Sequence, residues 1–393
     1  MKTDFDIVYN RKGTFCTQWD YIEDRFGEKD LLPFSISDMD FQVPKEVLHA
    51  IEKRAEHGIF GYTRWNHEAF KNAVCSWYKK RFEYEPDQKQ IVYSPSVIYT
   101  IARMIGMLSD RGDKVVTQVP AYDAFYKVIH DNDRELSANP LIRTNHGYEI
   151  DFSDLEKRLQ DPKAKILLLC NPHNPTGKVW TKDELTKITE LCRENKVFII
   201  SDEIHMDIVR AGKRTIPILA AAEGYSYVCL CTSASKTFNI PGLIGSYAMI
   251  ADPQIREEYL ISLKNRDGLS STSIFGMEAM ITAYEECGYW VDDLNDYLDK
   301  TLEYLEEFFK KSIPQVDFYV PEATYLVWLD CAGLPFSMDQ LQNKLVHDYK
   351  TAIMRGDIYG DEYGSFLRLN IGCPRSKVEK GMWALKGACN ALA

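Results

Sequence analysis

The 393-residue chain is short of positive charge: 47 Lys and Arg stand against 58 Asp and Glu, a formal net charge of −11. Nucleic acids and anionic membrane surfaces recruit a basic face, so this balance argues against both as partners. Long apolar runs are missing as well. Runs such as "ILLLC" (166–170) and "VFII" (197–200) fall far short of the roughly 20 residues needed to cross a bilayer. No two of the ten cysteines form a C-x-x-C pair, and their scatter from Cys16 to Cys389 reads as reduced thiols, mostly core packing. Neither G-x-G-x-x-G nor G-x-x-x-x-G-K-[ST] occurs, which removes the obvious nucleotide sites. The N-terminus "MKTDFDIVYN" sets charges among its apolar residues, unlike a secretory leader. The expectation is a cytoplasmic protein with no membrane or nucleic-acid partner.

What remains is ordinary globular composition, 45% hydrophobic and 27% charged, at a length that suits two domains. Short apolar runs alternate with amphipathic segments of helical length: "QIVYS" (90–94), "KVVTQV" (114–119), "AKILLLC" (164–170), "VFIISDE" (197–203), "YVCLCTS" (227–233) and "GSYAMIA" (245–251). Strands alternating with helices predict an α/β fold with a mostly parallel central sheet covered by helices. Towards the C-terminus the character changes. A long acidic amphipathic helix, "YWVDDLNDYLDKTLEYLEEFFKKS", precedes the strand-like "VDFYVP", "TYLVWLD" and "SFLRLNI", which suits a smaller α+β domain. The expected division is an N-terminal arm with part of the small domain over 1–47, a large domain over 48–285, and a C-terminal small domain over 286–393.

Ligands of parallel sheets bind outside the carboxyl ends of the strands. There the sequence places Ser96 and Val97 after the first run, Tyr122 after the second, and Asn171 and Asn174 in "NPHNPTG". Asp202 and His205 follow the fourth run, and Ser233 and Lys236 the fifth. Ser96 can cap the helix after it, whose free N–H groups suit a phosphate. A phosphate cradle, an amide, a carboxylate and an amine converge on one sheet edge. Pyridoxal 5′-phosphate needs such a set: a lysine amine to hold its aldehyde and an acid to keep its ring nitrogen protonated. Lys236 and Asp202 would take those roles. Asn174 would donate to the phenolic oxygen, Tyr122 would stack on the ring, and Ser233 would join the Ser96–Val97 backbone at the phosphate.

The motifs "NPHNPTG", "SDEIH" and "SASKTFNIPGL" lie 28 residues apart from Asn174 to Asp202 and 34 from Asp202 to Lys236. They resemble fold-type I PLP enzymes, the aspartate aminotransferase superfamily. Within it, "SDMDF" (37–41), "GYTRW" (61–65), "DEIHMD" (202–207), "PEATYLVWLDC" (321–331) and "FLRLNIGCPR" (366–375) resemble the MalY/PatB-type C–S β-lyases. The resemblance implies that Arg368 clamps the substrate α-carboxylate. It also implies that the arm carrying Asp38 closes over the substrate, and that Tyr62 reaches the phosphate of a neighbouring subunit in a homodimer. Three positions depart from general aminotransferases or from the branch. Ile244 stands where aminotransferases carry a phosphate-binding arginine, and His205 where they carry a tyrosine. Ser96 replaces the glycine usual in the phosphate turn, adding a hydroxyl donor or crowding the phosphate.

Blander readings exist for each residue. A lone lysine is usually solvated, Asn171 would serve a tight turn as well as Asn174, and Tyr62 and Tyr122 are two of 23 tyrosines. His173 and His205 lack partners at metal-ligand spacing and read as satisfied histidines, and Cys229 and Cys231 as core. The motif context favours β-elimination from cystathionine or another S-substituted cysteine, giving a thiol, pyruvate and ammonia. An aminotransferase is the alternative, and a binding protein with a vestigial site a third possibility.

Overall fold

The computed structural model describes residues 3–145 and 147–393. A short strand, β1 (Leu32–Phe34), precedes β2 (Ile91–Ser94), β3 (Lys114–Val119), β4 (Glu135–Thr144) and β5 (Gly147–Ile150). Then come β6 (Ala164–Cys170), β7 (Phe198–Asp202), β8 (Val228–Thr232) and β9 (Ser246–Ile250). The C-terminal part adds β10 (Asp317–Phe318), β11 (Leu326–Asp330), β12 (Thr351–Arg355) and β13 (Phe366–Asn370).

Strands β2 to β9 form one sheet in the order β2-β9-β8-β7-β6-β3-β4-β5. Its centre, from β8 to β4, is parallel, while β2, β9 and β5 pair antiparallel at the edges. Parallel strands must be crossed by helices that cover both faces, so apolar side chains on both faces are buried. β6 shows this: Ile166 and Leu168 enter one core, Leu167 and Leu169 the other. In β8 the same alternation sends Cys229 and Cys231 one way and Val228 and Leu230 the other. Those two cysteines are core, and all ten are free thiols.

The helix Val97–Leu108 buries Val97, Ile101, Met104 and Ile105 along one stripe against the sheet. That stripe aims the helix N-terminus at the carboxyl end of β2. The helix Lys182–Asn195 opens with a capping box, Thr181 and Glu184 satisfying each other's backbone N–H, a device worth about 1 kcal/mol. It returns the chain from β6 to β7.

The second sheet runs β1-β12-β13-β11-β10, with only the β1–β12 pair parallel. It packs with the helix Gly288–Ser312, which buries Trp290, Leu294, Leu298 and Leu305. One core cluster holds Leu167 of the large sheet together with Leu367 of the small one, so the two sheets share packed side chains. Among the described residues, no helix is long and apolar enough to cross a membrane.

The six apolar runs of the first two-thirds all form strands, with ends within one residue of the expected ones. "VDFYVP" yields only Asp317–Phe318. Strands β1, β4, β5 and β12 carry little apolar alternation of their own. β1, three residues long, exists through its pairing with β12.

Candidate active site

At the carboxyl ends of β6, β7 and β8 lies a cavity of about 430 Å³. Ser96, Val97, Tyr122, Asn174, Asp202, His205, Ser233 and Lys236 all line it. Strand parity explains the acid. Asp202 follows Phe198 and Ile200 on one face of β7, while Glu203 falls on the other. Register places Asp202 opposite Cys170 and Cys231, at the level where all three strands end.

Asp202 is 5% exposed, and its Oδ1 accepts a single bond, from the Ile204 N–H at 3.1 Å. Burial therefore pushes its carboxyl up to about 6, against the smaller pulls of that N–H and of Lys236. Lys236 donates to the Ser37 carbonyl at 2.6 Å and forms no ion pair among the described residues. Burial pushes its ammonium down to about 8, Arg368 adding to the effect while Asp38 and Asp202 oppose it. An acid and a base, each destabilised in its charged form, face one cavity.

Asn174 and Asn171 part company. Asn171 turns into the protein, where its Nδ2 donates to Glu203 Oε1 at 3.2 Å and to the Ile216 carbonyl at 2.8 Å. Asn174 faces the cavity, its Oδ1 accepting from Arg368 at 3.2 Å. The turn holding both is pinned at Gly177, with φ of 70°, where a Cβ would lie 2.3 Å from Pro321 Cβ. Only glycine fits there.

The phosphate end has several hydroxyls. Ser96 caps its helix by accepting the Tyr99 N–H at 3.1 Å. Its hydroxyl thus lies at the turn rather than across the helix end, and the first-turn Val97 and Ile98 N–H groups remain at the cavity wall. Ser233 caps the turn of Lys236 through the Ser235 N–H at 3.0 Å and donates to the Gly245 carbonyl at 2.6 Å. Ser235, which follows the fifth run in sequence beside Ser233, and Ser246, which the sequence reading passed over, line the same cavity. Ile244 sits at the cavity mouth with φ of 50°, an uncommon left-handed conformation for a β-branched residue.

Three candidates lie outside this cavity. Arg368, on β13, is 3% exposed and bonds the Asn174 side chain and, at 2.9 Å, the Ser35 carbonyl. Its Nε has no partner and no carboxylate pairs with it among the described residues, leaving a buried cation one side chain behind the wall. Asp38 lines a neighbouring cavity and pairs with Arg11. Tyr62 is fully exposed and lines neither of these two cavities.

The histidines also separate. His173 is satisfied, bonding Thr176 Oγ1 at 2.8 Å. His205 is not, contrary to expectation: its Nδ1 is buried without a partner, and burial with Lys236 and Arg368 nearby pushes the ring down to about 3. It is a neutral imidazole at the cavity wall. No group of metal ligands occurs among the described residues.

The set suits pyridoxal 5′-phosphate on its own terms. Asp202 is a buried carboxylate with one donor, able to accept a ring N–H, and Lys236 is an amine free of any ion pair. The helix end and serines offer a phosphate cradle.

The family description "Aminotransferase class I and II" matches residues 29–385. The chain belongs to this family. Among family relatives, protein MalY of Escherichia coli is 45% identical over 389 residues, 99% of each chain. Cystathionine beta-lyase PatB of Bacillus subtilis is 36% identical over 385 residues, 98% of this chain and 99% of PatB. The structure of the PLP-bound C-S lyase from Staphylococcus hominis superposes with a TM-score of 0.91 at 31% identity, covering 98% of this chain and 99% of that one.

Proposed function

We propose that this family member is a pyridoxal 5′-phosphate-dependent C–S β-lyase acting on cystathionine or related S-substituted L-cysteines. When bound, the cofactor supplies an electron sink for negative charge at the α-carbon of an amino acid. Asp202 would hold the ring-nitrogen proton, with Asn174 and the neutral His205 as its uncharged neighbours at the cavity wall. Tyr122 would offer an aromatic surface to the ring, and Ser96, the Val97 N–H and Ser233 would hold the phosphate. Arg368, lacking a carboxylate of its own, receives the substrate α-carboxylate. Lys236, its amine pushed down to about 8, holds an appreciable neutral fraction near pH 7 and takes the α-proton. The C–S bond then breaks with its electron pair on sulfur, which leaves as a thiol. Water converts the remaining three carbons and nitrogen to pyruvate and ammonia.

The observation that carries this reading is one cavity holding a half-buried lysine with no ion pair among the described residues and a singly bonded buried aspartate. Incubation of the holoenzyme with cystathionine is expected to yield thiol and pyruvate in equal amounts. A keto acid without thiol would instead mark transamination, and neither product would defeat the assignment.

The proposal extends to assembly. Tyr62, Ile59 and Phe60 are 100%, 67% and 56% exposed, an apolar loop in which Phe60 touches Phe275 and Arg54 while Tyr62 is left to solvent. We place it on a second copy, with Tyr62 at that copy's phosphate. A monomeric elution volume for the holoenzyme would reject this. The thiol content fits a reducing, cytoplasmic setting, and the proposed division at 47 and 285 falls within the helices Lys45–Glu56 and Ile274–Glu286.

A further inference from the structure

A second cavity, of about 580 Å³, adjoins the first and shares Lys236 and Pro241 with it. It lies on the arm side, between residues 36–42 and the turn after Lys236. Granting the lyase reading, the substrate α-carbon would sit within reach of Lys236, with its carboxylate towards Arg368. The sulfur substituent then has this neighbouring space to enter.

The walls of that space are polar, and their partners are almost all accounted for. Arg11 is spent on the Met39 carbonyl at 3.0 Å, Asp40 Oδ1 at 2.8 Å and Asp38 Oδ2. Asn239 is spent on the backbone of Met39 and Phe41. Tyr9 donates to Gln42 at 3.1 Å. One strong acceptor is left over: Asp38 Oδ1, buried and without a hydrogen-bond donor among the described residues. A buried carboxylate oxygen without a donor is costly, and the cost falls when a ligand brings an N–H to it. Arg11, by contrast, already has three of its five N–H groups committed and two carboxylates of the arm paired to it.

We infer that this second cavity is the leaving-group subsite and that Asp38 selects thiols carrying an ammonium group over neutral ones. Asp38 is thus a specificity residue for the far end of the substrate rather than for the reacting atoms. It also raises the basicity of Lys236. That effect is the same for every substrate and cancels in a ratio between two.

The test compares S-(2-aminoethyl)-L-cysteine with its near-isostere S-propyl-L-cysteine on the holoenzyme, by kcat/KM for pyruvate release and by affinity from the change in cofactor absorbance. The native protein is expected to prefer the aminoethyl compound at least tenfold. Asp38→Asn should bring that ratio to within threefold of unity. Arg11→Gln, which frees the other oxygen of Asp38, should keep or increase the preference, and it tests the idea even if Asp38→Asn folds poorly. Equal handling of both compounds by the native protein, or a preference that survives Asp38→Asn or vanishes in Arg11→Gln, overturns the inference. Pyruvate formed equally from both compounds would sink the subsite and leave the lyase reading standing. Selective binding with no pyruvate from either would do the reverse.

Discussion

Asp202 and Asp40 are both aspartates with 5% of their surface exposed, and they have opposite surroundings. Asp40 sits under the N-terminal arm, where Lys377 reaches Oδ2 at 2.5 Å, and Arg11 and Trp19 reach Oδ1 at 2.8 and 3.0 Å. Burial pulls its carboxyl upward, yet Lys377, Arg11 and Trp19 together hold it below the ordinary value. Asp202 has one backbone N–H, and burial wins. The difference separates structural charge from functional charge. A buried acid whose bonds are filled by its own chain fastens the fold, and one left short of donors awaits a ligand.

The comparison can be broken, and the largest expected effect is at its functional side. Lys236→Ala should lower pyruvate formation by about 10³-fold or more, because both cofactor attachment and the α-proton base are lost. Its denaturation midpoint should stay near the native one. Equal activity would remove Lys236 from the chemistry.

Paired amide substitutions sharpen the contrast next. Asp202→Asn should lower kcat by about 10²-fold while the protein stays folded, since among the described residues that carboxylate forms no ion pair. Asp40→Asn should cost about 3–5 kcal/mol in urea unfolding, because it strands Lys377, itself buried against the rings of Trp19 and Phe34. If Asp202→Asn proves the more destabilising of the two, the distinction fails.

Stability against pH should carry opposite signs at the two sites. In cofactor-free protein, Asp202 binds its proton more tightly folded than unfolded. Its contribution is therefore fully present below pH 3.8 and lost as pH rises to about 6. The loss is on the order of 3 kcal/mol, and Asp202→Asn should recover it above that window but not below. Asp40, held low, contributes stability above the ordinary carboxylate range and loses it as pH falls through its lowered value. Urea titrations of both variants across acid pH check the two slopes.

The smallest effects concern the neighbouring amides. Asn171→Ala should cost about 1–3 kcal/mol of stability, since it takes a donor from the buried Glu203. Asn174→Ala should cost a similar amount, since it takes an acceptor from the buried Arg368, but unlike Asn171→Ala it should also weaken turnover. Thermal melts and kcat/KM on the same preparations would show whether the roles are reversed.

Much of this arrangement was legible beforehand. Apolar runs such as "AKILLLC" and "KVVTQV" can only be strands buried on both faces, and the residues after them fall at one sheet edge by topology. That is why Lys236, Asp202 and Asn174 could be placed together. Ser37 could not be, because its role is a backbone carbonyl shared by Lys236 and, at 3.0 Å, the Tyr325 hydroxyl. His205 looked satisfied because spacing speaks to metal ligation and says nothing about whether a ring nitrogen finds a donor. β12 and β1 were invisible for a similar reason, their stability lying in cross-strand partners rather than in their own pattern.

The sequence alone determined the six apolar strands of the large sheet, their alternation with helices and the chemical groups at their ends, because hydrophobic period and turn residues act over a few residues. Tertiary structure decided the rest. It brought Arg368 to Asn174 across 194 positions, left Asp38 one acceptor short, and raised one buried aspartate while lowering another. Charge state depends on solvent exclusion and on the count of nearby donors, and both are set by segments far apart in the chain.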